Sequence, residues 1–158
     1  MAAESRENPA GVVYGIITMG ALLAAESARR ETYVEAVASA SIALLLYWLA
    51  HSYASLLGER LSGKEHLTFT TLGRAFIHDW AIVRGASIPL LALLLTWALG
   101  ASQHTAVNIG VWSSVVCLVA FELIAGLRAK ASIRELVVEG SVGAAMGLAI
   151  IALKIVLH

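Results

Sequence analysis

Charge is what this sequence has least of. Only 14% of its 158 residues are Asp, Glu, Lys or Arg, against about 25% in an ordinary soluble domain. Eleven basic residues balance eleven acidic ones, so the chain lacks the basic footprint that a nucleic acid requires. Its single cysteine, Cys117, excludes an internal disulfide and a cysteine-built metal cage. Gly-x-Ser-x-Gly, His-Glu-x-x-His and phosphate-cradling loops are missing, which argues against the hydrolase and nucleotide chemistries that need them. The potassium-channel filter and the half-helix and twin-carboxylate transporter signatures are missing too.

Apolar residues fill the space. They make up 59% of the chain, and the mean hydropathy is +0.80. A soluble domain of this length needs a polar shell that such a composition cannot supply. The composition implies a single all-α integral membrane domain over residues 1–158, multi-pass and expected in a cell membrane. The lipid bilayer is then its first partner.

A hydrocarbon core of ~30 Å takes about 20 apolar residues per helix. Five segments qualify, at about residues 11–27, 34–57, 81–99, 106–127 and 137–157. The first resembles a secretory signal in length, but Glu4 and Glu7 beside Arg6 do not form the basic stretch such signals carry. It is read as a spanning helix. In the connector before the third span, Phe69, Leu72, Phe76 and Trp80 recur at helical spacing. They imply either a short amphipathic helix lying in the interface or an extension of the third span.

Five spans put Arg6, Arg60, Lys64, Arg74, Arg84, Arg128, Lys130 and Arg134 on one side. Arg29, Arg30 and Lys154 fall on the other. Basic residues accumulate on the cytoplasmic side, so the expected topology is N-terminus cytoplasmic and C-terminus outside.

An ionisable side chain deep in hydrocarbon costs at least ~2.5–3.5 kcal/mol on insertion scales, so each one needs a reason. The topology gathers His51, Glu122 and Arg84, with Asp79 and Glu139, into the inner third of the bundle. Tyr47, His51 and Ser55 form one polar stripe at i, i+4 and i+8. Asn108, Trp112, Val115, Val119 and Glu122 form a seam on the fourth span, and both patterns are expected to look into the bundle rather than at lipid. Glu26, Lys154 and Asn108, near His104, gather at the outer face, and an apolar waist separates the two layers. His78 and Asp79 read as solvated residues at a helix start. No pair of ligand-type residues has the helix-borne metal spacing, so no metal and no cofactor is expected.

Small residues carry the packing. Gly11 and Gly15 make one G-x-x-x-G step, and Gly143 and Gly147 another. These steps imply a tight contact of the first and fifth spans, within one chain or between copies.

Three functions remain open. The leading one is a channel or carrier for protons or a small cation, using His51 and Glu122, modulated by Arg84. It would be assembled as a homo-oligomer or with another membrane protein. The second is a non-catalytic scaffold or accessory subunit whose polar residues only set helix register. The third is an enzyme acting on lipid headgroups with His51, His78 and Asp79. No catalytic residue is assigned.

Overall fold

The computed structural model describes residues 8–25, 32–63 and 68–157. Among the described residues there are five helices and no strand. The helices are α1 (Pro9–Ala25), α2 (Tyr33–Leu61), α3 (Phe69–Ala98), α4 (Gln103–Arg128) and α5 (Ile133–Leu157). α2 to α5, with 29, 30, 26 and 25 residues, are long and apolar enough to cross a membrane. α1 has 17 residues, or about 25 Å of helix.

Local chemistry sets the helix starts. The first free N–H groups of a helix need acceptors, and Ser, Thr and Asn side chains provide them. Asn8 Oδ1 accepts from Gly11 N–H at 2.9 Å, and Thr32 and Ser132 each form a reciprocal capping box, with Glu35 and Glu135. Thr68 and Ser102 cap α3 and α4. Gly100, at a φ of 84°, ends α3 in the left-handed region, where glycine carries no steric cost.

The stripe ahead of the third span resolves as an extension. α3 runs unbroken from Phe69 to Ala98, so no separate interfacial helix forms. The stripe packs on α2 instead. The Trp48 indole N–H donates to the Phe76 carbonyl at 3.2 Å, and the Trp48 ring lies 5.1 Å from that of Trp80, edge to face. At the other end of α2, Tyr33 stacks on Trp97 at 5.0 Å and donates to the Ala101 carbonyl at 3.2 Å. Aromatic pairs and a satisfied polar tip thus fix α2 to α3 at both ends.

The short helix is the central one. α1 packs on α3, α4 and α5 and also touches α2, whereas α2 packs mainly on α3. α1 and α3 run in the same direction, because Asn8 meets Asp79 while Gly15 meets Ile82 and Ala86. Their contact is backbone to backbone and reciprocal. A Cβ on Gly15 would land on the Ile82 carbonyl, and a Cβ on Gly85 would land on the Val12 carbonyl. Close approach of this kind permits Cα–H···O contacts, which recur at helix–helix interfaces. Pro89, one turn after Gly85 and inside α3, has no N–H to offer the Gly85 carbonyl, so this turn is already loosened. Met19, Leu23, Ile82, Leu93 and Leu118 fill the waist beside it and are fully buried.

The glycine steps therefore serve different partners from those expected. Gly11 and Gly15 face Ala81, Ile82 and Ala86 of α3, while Gly143 and Gly147 face Glu122 and Val115 of α4. α1 meets α5 elsewhere, at Gly20 beside Ile150. The reason is geometric. A smooth face attracts whichever helix the connections place against it, and here that neighbour lies within the chain.

Gly15→Ala and Gly85→Ala should each destabilise the fold by about 1–3 kcal/mol, the usual cost of overpacking a tight contact. Gly73→Ala should not, since nothing lies within 4 Å of its Cβ position. Thermal unfolding in detergent, followed by circular dichroism, measures all three.

Candidate functional site

The polar side chains concentrate at the end of the bundle where α1 begins. Asn8 joins two helices there. Its Oδ1 caps α1, and its Nδ2 donates to Asp79 Oδ1 at 3.2 Å. His78 Nδ1 lies 3.0 Å from the same carboxylate oxygen. Asp79 is only 6% exposed, which corrects the reading of it as a solvated residue at a helix start. It lies well inside α3 and faces the first turn of α1, where the helix dipole favours a negative charge. His78 remains largely exposed.

Glu122 and Glu139 form the second feature, and it is symmetrical. α4 and α5 run antiparallel, since Glu122 lies against Gly143 while Gly126 lies against Leu136 and Glu139. Each carboxylate rests on the glycine of the other helix, where any Cβ would collide with it. Both helices carry the same spacing, Glu122-x-x-x-Gly126 and Glu139-x-x-x-Gly143. Glu122 Oε2 is buried without a hydrogen-bond partner. The two glutamates line a cleft of about 530 Å³ between α1, α4 and α5, whose other walls are apolar side chains such as Val13, Phe121 and Met146. Sequence reasoning placed both glutamates in the inner third of the bundle but did not pair them. The repeated Glu-x-x-x-Gly spacing was the signal that could have found the pair.

His51 sits beside α1. Its ring lies 5.5 Å from that of Tyr14 and 5.9 Å from that of Tyr47. Tyr14 also lines the glutamate cleft, so it is common to the surroundings of His51 and Glu122. Ser55 is exposed, against the expectation that the whole stripe turns inward. α2 presents Ser52 to the interior in its place, fully buried and with its hydroxyl unpartnered. A polar stripe at 3.6-residue spacing marks a face but not which way that face turns. Trp112, placed on the inward seam of α4, is likewise 56% exposed.

Arg84 is not beside Glu122. With Arg128 it lines a separate cleft between α1, α3 and α4. At the far end of the bundle the outer group assembles in part. Lys154 Nζ donates to Asn108 Oδ1, and Asn108 Nδ2 lies 3.2 Å from His104 Nδ1. Glu26, the remaining member of that group, lies outside the described residues. Among the described residues no three His, Cys, Asp or Glu side chains converge as a metal cage.

No protein-family model, curated protein or solved structure matches the chain.

The Asn8–Asp79 link should matter for stability. Asp79→Ala removes the acceptor of a buried hydrogen bond and should lower stability by about 1–3 kcal/mol. Asp79→Asn keeps an acceptor and should cost less. Equal losses in a thermal unfolding series would show that the bond itself contributes nothing.

Proposed function

We propose that the chain is a five-pass membrane protein with its N-terminus in the cytoplasm, and that Glu122 and Glu139 carry protons through it. α1 counts as the fifth span on this reading. It runs alongside the middle of α3, so it lies at membrane depth wherever α3 does. Its 25 Å suits a bilayer that thins or tilts slightly around it.

One observation carries the reading: Glu122 and Glu139, each seated on a glycine of the other helix one turn apart on the α4–α5 seam, line one otherwise apolar cleft. Two like charges at such depth are not stable side by side, and the usual resolution is a shared proton or a bound cation. A dehydrated calcium ion takes about six to eight oxygen ligands, more than this pair provides. A proton requires only the pair itself. The glycines beneath the carboxylates remove the side-chain bulk that would push them apart. His51 packs on Tyr14, which also lines this cleft, and offers a second polar side chain on the cytoplasmic half. A small cation remains the neighbouring alternative within the same class.

The scaffold reading draws on the same seam, because a carboxylate seated on a glycine also fixes helix register. The glycine faces named for a partner are occupied inside the chain, which weighs against their recruiting another protein. The enzyme reading needs His51 beside His78 and Asp79. His51 packs on Tyr14 and Tyr47 instead.

Proteoliposomes loaded with a pH-sensitive dye test the proposal. Glu122→Gln and Glu139→Gln should each reduce proton flux to the level of empty liposomes while melting near the wild-type temperature. His51→Ala should slow flux without abolishing it. Full flux in both glutamine variants would leave the scaffold reading in possession. For topology, single cysteines at positions 64 and 30, in a Cys117→Ser background, are probed with a membrane-impermeant thiol reagent on intact cells. Position 30 should react and position 64 should not.

A further inference from the structure

The cleft that holds Arg84 and Arg128 is chemically unlike the glutamate cleft, although both border α1 and α4. Its volume is about 640 Å³. Val12, Ile16, Ile88, Phe121 and Ile124 wall it with hydrocarbon, and its charged lining consists of those two arginines. The lining on α4 extends from Arg128 at the helix end to Cys117, which is about 16 Å of helix. Arg128 marks the end nearest the start of α1. Arg84, on α3, stands at the level of Val12, beside Gly85, and is exposed. A guanidinium on a long stem at that depth reaches toward the headgroup layer rather than into the bilayer. The cleft is therefore cationic at its headgroup end and apolar toward mid-membrane.

Gly85 and Val12 both line this cleft, and the α1–α3 contact between them is backbone to backbone. Glu122, the nearest carboxylate on α4, faces Gly143 of α5 on the other side of that helix, so it is turned away from Arg84.

We propose that this cleft binds an acidic phospholipid, with its phosphate held by Arg84 and Arg128 and one acyl chain laid along Ile88, Ile16 and Cys117. The charge pattern selects this occupant. Guanidinium groups match phosphate oxygens in a fork that a point charge cannot reproduce. The apolar length beyond them suits an acyl chain and is useless to a soluble anion. A zwitterionic lipid presents the same phosphate with a compensating cation beside it, so it gains less from two arginines than an acidic lipid does. The proposal requires only that the chain lie in a membrane, and it stands or falls apart from proton flux.

Native mass spectrometry of the full chain, released from detergent with equimolar dioleoyl phosphatidylglycerol and dioleoyl phosphatidylcholine, reads the site directly. The wild-type protein should retain phosphatidylglycerol in preference. Arg84→Gln with Arg128→Gln should reduce that preference by roughly tenfold or more, since each basic residue near an acidic headgroup contributes about 1 kcal/mol. Ile88→Trp, which fills the groove while keeping both arginines, should reduce retention as well, and it decides the matter if the double variant does not fold. Three results would each overturn the proposal: no preference in the wild type, a preference untouched by either change, or complete displacement of the lipid by equimolar glycerol phosphate. The last would mean that the cleft recognises a free anion.

Discussion

The reciprocal contact between α1 and α3 is the constraint on which the other positions depend. Gly15 admits the Ile82 carbonyl, and Gly85 admits the Val12 carbonyl. In lipid there is no hydrophobic drive to press helices together, so packing geometry must supply the attraction. Two glycines at matching heights let the axes come as near as backbones allow. The shortest helix of the five can then serve as the hub, touching each of the others. Every polar group at that end of the bundle takes its place from this arrangement. Asp79 reaches the capping Asn8 only because α1 lies flush on α3. Tyr14 stands between His51 and the glutamate cleft only because α1 is interior.

Glycine has a second use at the α4–α5 seam. There it makes room for a carboxylate rather than for a carbonyl. Glu122 over Gly143 and Glu139 over Gly126 form a pair related by the antiparallel run of the two helices. The arrangement resembles neither a salt bridge nor a metal cage. It brings two carboxylates into one largely apolar cleft. The two clefts flanking α4 thus differ in sign, one bordered by glutamates and the other by arginines.

Much of the architecture was legible before any coordinates. Four of the five segments proposed from apolar length coincide with helices long and apolar enough to cross a membrane. The fifth coincides with α1. Caps such as Thr32 with Glu35 and Ser132 with Glu135 are local, four-residue chemistry, and local chemistry is what a sequence displays. Depth bookkeeping grouped Asn108 with Lys154 at one end of the bundle, but not the hydrogen bond between them. Facing directions were less visible. Ser55 and Trp112 were expected inside and are exposed, while Ser52 is the buried serine of α2. In a membrane helix both faces are apolar, so the period that marks the inner face of a soluble helix is faint.

Composition and spacing by themselves determined that this is an all-helical, membrane-like chain with few charges. Those properties are sums over segments, and they survive any choice of neighbour. Only the tertiary structure decided which charges meet. Arg84 and Glu122 share a depth but lie on different sides of α4. Glu122 and Glu139 belong to different helices and come together only because Gly126 and Gly143 leave space for them. Depth is a one-dimensional coordinate that the chain carries along its length. The azimuth of each helix is set by its contacts with neighbours, and those contacts exist only once the bundle has closed.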